Sequence, residues 1–134
     1  MSIDEWDRFR EVHRELTRNV EGYLLSAHQL RLVVYDALRA LESAPDRSLI
    51  AGQLARRIGL SPGGTTRVLD ELVRCGWARR ERSTDDGRAT VVVLTDQGAD
   101  LCARVERGYD ELINNQVMPS VYEQLGQLGD PAAV

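Results

Sequence analysis

Apolar residues at Trp6, Phe9, Val12, Leu16, Val20 and Tyr23 recur at gaps of three and four, which predicts an amphipathic helix over about 4–24. Gly22 is expected to mark its end or a bend near it. A second helix is predicted over about 29–43, with Leu30, Val34, Ala37, Leu38 and Leu41 on one face and Pro45 and Asp46 stopping it. A short helix near 51–58 would bury Leu54, Ala55 and Ile58. Gly59 sits where a left-handed C-cap belongs, and Leu60 supplies the hydrophobic contact that usually follows. Ser61 and Pro62 then read as the N-cap and first-turn proline of another helix, about 62–75. That helix turns Thr65, Val68, Leu69, Leu72 and Val73 inward and Gly63, Gly64, Thr66, Arg67 and Asp70 outward, and Gly76 ends it. Two helices joined by about three residues have the spacing of a helix-turn-helix.

Beyond Gly76 the helical period is lost. Residues 77–82 and 90–94 are rich in Val and Arg and flank a polar Asp/Gly turn, so they read as two strands of a hairpin. A helix-turn-helix followed at once by a hairpin is a winged helix. Thr95 and Asp96 cap a long helix, about 96–117, with Leu101, Cys102, Val105, Tyr109, Leu112 and Ile113 on one side. Pro119 is expected to break it, before a short last helix near 120–128. The fold class is therefore mainly α with a small β-hairpin wing (α+β). The chain reads as a single domain, 1–134, with a winged helix-turn-helix at about 30–95 and flanking helices at about 4–24 and 96–128. Both flanking segments carry an apolar face, and a chain of 134 residues has little other core to cover them, so a homodimer built from its ends is expected.

Composition narrows the function classes. With 43% hydrophobic and 28% charged residues the chain has the balance of a folded globular protein. No apolar run approaches the roughly 20 residues needed to span a bilayer. The N-terminus is charged rather than a signal peptide, so a cytoplasmic location is expected, without a membrane partner. Cys75 and Cys102 make no disulfide framework, and both are expected to be buried and inert. His13 and His28 lack the spacing of a helical metal site and read as surface or interface residues. Neither a metal nor a cofactor is expected. No catalytic set and no GxxxxGK[ST] phosphate loop stands out, so an enzyme is not expected.

Net charge is −4, but it is unevenly spread. Residues 47–90 hold nine Arg and five Asp/Glu, a local charge of +4, while the rest of the chain carries −8. Local charge sets the field that a partner meets, and here it singles out the helix-turn-helix and its wing. Every basic residue is Arg, which suits forked contacts to phosphate or guanine. A GC-rich genome gives the same bias.

The segments YDALRAL (35–41), LARRIGLS (54–61), TTRVLDELVRCGWARR (65–80) and DGRATVVVLTDQG (86–98) resemble, in this order, the MarR family of transcriptional regulators. The last is the most specific, an Asp-x-Arg followed by a strand ending in Leu-Thr-x-x-Gly. The resemblance implies a homodimer whose end helices intertwine, with two winged helices binding a palindromic operator, usually as a repressor. It implies a recognition helix, about 62–75, in the major groove and a wing, about 77–95, at the minor groove. The DNA-contacting residues would be Ser61, Pro62, Gly63, Gly64, Thr66, Arg67, Arg74, Arg79, Arg82 and Arg88, with Asp86 stiffening the wing. Arg80 flanks the wing as a phosphate contact, with a structural role open to it. The resemblance also implies release by a small aromatic or phenolic effector, in a pocket touching Trp6, His28 and Tyr35. The chain departs from the family pattern at Gly63 and Gly64, where larger polar residues are common, and at Gly87, where Arg or Lys often sits. The alternative is a winged helix used only for protein contacts, which would need an exposed apolar patch on the recognition helix.

Overall fold

A computed structural model describes residues 2–85 and 87–126. It divides into two compact units, one of residues 1–29 with 106–134 and one of residues 30–105.

In the first unit, helix α1 spans Ile3–His28. Ser2 caps it: its hydroxyl accepts from the Glu5 N–H at 3.2 Å, and the Glu5 carboxylate accepts from the Ser2 N–H at 2.6 Å. This reciprocal arrangement satisfies two otherwise orphaned donors. The helix does not end at Gly22 but runs on to His28, and Gln29 closes it in the left-handed conformation at φ 53°. One glycine costs a helix interior only about 1 kcal/mol, too little to stop a 26-residue element. Val12, Val20 and Leu24 are buried, whereas Ile3, Trp6, Phe9 and Leu25 are exposed.

The C-terminal elements also differ from expectation. Helix α5 spans Asp96–Leu112, a π-helical segment follows at Ile113–Val117, and helix α6 spans Met118–Leu125. Pro119 therefore does not break the chain's helical course; it sits in the first turn of α6, where its missing N–H is least needed. The wide turn just before it is one way a helix absorbs a proline. Tyr23 of α1 packs so closely on α5 that a Cβ added at Gly108 would lie 2.1 Å from its hydroxyl oxygen.

The second unit holds helix α2 at Leu32–Ser43, strand β1 at Ser48–Ile50, helix α3 at Ala51–Ile58 and helix α4 at Pro62–Arg74. Strands β2, Ala78–Arg82, and β3, Thr90–Leu94, follow. Leu30 and the α2 face of Val34, Ala37, Leu38 and Leu41 are buried as the periodicity predicts, together with Leu54, Leu72, Val92 and Leu94. The helix-turn-helix is as expected: Gly59 takes φ 69° and Ser61 caps α4.

The sheet has three strands rather than two, in the order β1-β3-β2, antiparallel throughout. Leu49 pairs with Val92, and Val92 with Arg80. The unbroken valine run is thus the central strand, hydrogen-bonded on both edges. Strand β1 is not legible in the sequence because three residues are too few to show alternation.

One close approach fixes the wing to the rest of this unit. Gly98, in the first turn of α5, lies against Trp77 and Leu94, and an added Cβ would sit 2.2 Å from the Trp77 carbonyl oxygen and 2.6 Å from Leu94 Cδ1. Backbone cannot yield as a flexible side chain can. Gly98→Ala is therefore expected to destabilise the fold by about 1–3 kcal/mol or more, read as a lower urea midpoint. An unchanged midpoint would show that the contact is not tight.

Candidate nucleic-acid interface

Helix α4 and strand β2 both present exposed residues on the second unit. Helix α4 begins with a designed-looking amide arrangement. Pro62 has no N–H, and the Gly64 N–H is taken by the Ser61 hydroxyl at 3.1 Å. The Thr65 N–H goes to the Ser61 carbonyl at 2.9 Å. Gly63 is left with the open amide, and a Cβ added there would meet nothing within 4 Å. The departure at Gly63 thus leaves bare backbone at the positive end of a helix dipole, a surface that can receive a phosphate oxygen.

Beyond that turn, Thr66, Arg67, Asp70 and Arg74 are exposed while Thr65, Val68, Leu69 and Leu72 are buried. This division matches the predicted inward and outward sets, except that Val73 is only half-buried. The Thr66 hydroxyl donates to the Pro62 carbonyl at 3.0 Å, which leaves its methyl group and lone pairs for a partner. The Thr65 hydroxyl is likewise spent, on Ser61 O at 2.8 Å.

Strand β2 is exposed at every residue after Ala78. Arg79 Nε donates to Glu81 at 2.7 Å, and Arg80 pairs with Asp70 of α4. Arg31, at the N-cap of α2, pairs with Glu71. All three acids of α4 and β2 (Asp70, Glu71 and Glu81) are therefore held by an arginine. Arg67, Arg74 and Arg82 are exposed and form no ion pair among the described residues. The uncompensated charge of this face is cationic. Arg88 and Gly87 are exposed in the turn between β2 and β3. Asp86, expected to stiffen that turn, lies outside the described residues.

The sequence-predicted residues fall into two sets. Ser61, Pro62, Gly63, Gly64, Thr66, Arg67 and Arg74 share α4 and its cap, and Arg79 and Arg82 share β2. The Asp70–Arg80 pair joins α4 to β2. In the first unit, Trp6 is exposed and stacks on Phe9 with centroids 5.8 Å apart. His28 meets Tyr23 edge-on at 5.9 Å. In the second unit, Tyr35 is almost fully buried. Cys102 is buried as expected, but Cys75 is exposed, because it is the C-cap residue of α4 rather than part of its inward face.

Sequence reasoning did not find the Asp70–Arg80 and Arg31–Glu71 pairs. Their partners lie 10 and 40 residues apart. Charge sign offers a weak hint, since an acid on an otherwise basic face needs a counterion, but it does not select the partner.

Loss of the cap should be felt locally. Ser61→Ala removes the acceptor for the Gly64 N–H and is expected to cost about 1 kcal/mol, measured by urea unfolding. Ser61→Asp, which keeps an acceptor, should recover the loss, and failure to recover would place the effect elsewhere.

Comparison with known proteins gives one family. Residues 28–89 match the family model described as MarR family. The transcriptional repressor MprA of Escherichia coli is 32% identical over 82 residues, covering 61% of this chain and 47% of that protein. The match thus spans about half the length of that curated relative. Among solved structures, a MarR family transcriptional regulator from Streptomyces coelicolor in complex with DNA superposes with a TM-score of 0.76 at 23% identity, covering 96% of this chain and 75% of that one. A mutant MarR from E. coli complexed with operator DNA gives 0.71 at 23% identity, covering 98% and 87%. At these identities the structural likeness establishes the fold. No helix among the described residues is long and apolar enough to cross a membrane.

Proposed function

Because residues 28–89 place this chain in the MarR family of winged helix-turn-helix transcriptional regulators, we propose that it is a homodimeric, sequence-specific repressor of a palindromic operator. In this reading α4 enters the major groove and the wing lies at the minor groove. The observation that carries the proposal is the charge of the α4–β2 face: its acids are paired internally, and Arg67, Arg74 and Arg82 are left exposed without ion pairs. Such a face attracts a polyanion, although the whole chain is acidic. The exposed residues of α4 are small, polar or charged, which disfavours the protein-contact alternative.

The dimer rests on the first unit. Ile3 at 79% exposure, Trp6 at 51% and Leu25 at 52% on α1, and Tyr122 at 70% on α6, are large apolar side chains left open to solvent. A second copy would cover them. Two recognition helices would then meet half-sites about one DNA turn apart, roughly 34–36 Å.

The reading includes release by a small effector. A cavity of about 580 Å³ in the first unit supports it, lined by Leu16, Tyr23, Leu112 and Val117 with the Asn19 and Gln116 amides. Its lining mixes apolar side chains with the Asn19 and Gln116 amides and the Ser120 hydroxyl, which suits a small ligand with both apolar and polar parts. His28 stands beside it through the Tyr23 ring, whereas Trp6 and Tyr35 are not among its lining residues.

Light scattering at micromolar concentration and physiological salt is expected to give a dimer, and a monomer would refute the assembly. Selection of bound DNA from a random pool should enrich a palindrome, and no enrichment would favour a protein partner. Arg67→Ala should weaken binding by about 1–3 kcal/mol per half-site and relax preference at one position if the guanidinium forks onto guanine. An even loss across sequences would make it a phosphate contact. Unchanged affinity would remove Arg67 from the interface.

A further inference from the structure

An acidic residue sits at the centre of the face read above as cationic. Gly63, Arg67, Asp70 and Arg74 follow at spacings of four, three and four, so they lie along one exposed stripe of α4. Asp70 is flanked on that stripe by Arg67 and Arg74, either of which is spaced to pair with it. It pairs with neither. Its Oδ1 accepts from Arg80 Nη2 on β2, and Oδ2 has no hydrogen-bond partner among the described residues. The Asp70 side chain is 58% exposed and that of Arg80 is 38% exposed.

Stability does not account for this arrangement. An exposed ion pair contributes little, and both side chains are well solvated. A bare carboxylate on a phosphate-facing stripe would weaken DNA binding by repulsion. A carboxylate held through one oxygen by Arg80, on a side chain that is 58% exposed, is instead an oriented hydrogen-bond acceptor.

We propose that Asp70, oriented by Arg80, reads a cytosine in the major groove by accepting a hydrogen bond from its exocyclic N4 amine; the inference rests on the DNA-binding reading above. The donor pattern of the groove selects the base. Guanine offers only the acceptors O6 and N7, and thymine offers the acceptor O4 and a methyl group. Adenine offers the N6 amine, but its N7 acceptor lies alongside and opposes a carboxylate. Cytosine alone presents an amine without an adjacent acceptor on the same base. Arg80 is the positioning residue: it donates to Oδ1 and so leaves Oδ2 for the base. Its guanidinium is then engaged with Asp70 rather than with a phosphate.

The test is selection from a random-sequence DNA pool with the wild-type protein, Asp70→Asn and Arg80→Ala, followed by affinity measurements across a salt series. Circular dichroism serves as the folding control. The wild type should enrich a cytosine at one symmetry-related pair of positions, and replacing it by thymine should weaken binding about fivefold to tenfold per half-site, the lower end of what base contacts supply. Asp70→Asn should shift that position from cytosine to adenine, because an amide matches N6 and N7 together, and should leave the rest of the site unchanged. Arg80→Ala should weaken the same cytosine preference while keeping the salt dependence of the wild type. Retention of the cytosine by Asp70→Asn would overturn the proposal. So would a salt slope that falls by about 0.9 for each Arg80 lost with base preference unchanged, which would make Arg80 a phosphate contact. If the wild type enriches no sequence at all, the DNA-binding reading itself fails and this inference with it. If a palindrome appears but no position depends on Asp70, only this inference fails.

Discussion

The hairpin of β2 and β3 is held to the end of α4 by a single junction at Thr95. Its hydroxyl donates to the Gly76 carbonyl at 2.6 Å and accepts from the Gly98 N–H at 3.1 Å, and its own N–H goes to the Trp77 carbonyl at 3.0 Å. Three segments meet there: the turn that ends α4, the end of β3 and the start of α5. Gly76 takes φ 78° so that the chain can leave the helix, and Gly98 has no side chain so that α5 can approach Trp77. With these groups satisfied, β3 is anchored by Val92 and Leu94, and β2 can remain exposed while still held in register. The charged strand is a surface laid on a buried valine strand.

That division explains how a weakly acidic chain carries a cationic face. The internal pairs Asp70–Arg80, Glu71–Arg31 and Glu81–Arg79 contribute little energy each, being partly or well exposed. Their effect is on the field. They neutralise the acids of α4 and β2 in place, and the remaining arginines set the sign of the potential.

Much of the fold was legible in the sequence. The α2 stripe, the Gly59 cap, the Ser61-Pro62 start and the valine strand β3 each follow from a local rule of period, cap or turn, and the structure keeps them. Errors arose where a local rule was outweighed. Gly22 suggests a helix end or a bend, but α1 is long enough to absorb it. Pro119 was read as a break, but a π-helical turn lets the helical course continue. Strand β1 is short and takes its identity from pairing with β3, which no local pattern reveals. Within the candidate site, the outward residues of α4 could be listed from periodicity, whereas the pairing of Asp70 with Arg80 depends on tertiary placement of the wing. The burial of Tyr35 and the exposure of Cys75 were likewise set by position in the fold rather than by residue type.

The central claim is that the arginines left without ion pairs on α4 and β2 form one electrostatic surface for DNA. It is tested most directly by the salt dependence of operator binding for the wild type and for a variant with Arg67, Arg74 and Arg82 all changed to Ala. Each phosphate contact contributes about 0.9 to the slope of log K against log salt. A dimer losing Arg74 and Arg82 from two phosphate-binding faces should lose roughly 3.6 in slope, rising to roughly 5.4 if Arg67 also holds phosphate. An unchanged slope, with the variant folded and dimeric, would contradict the account.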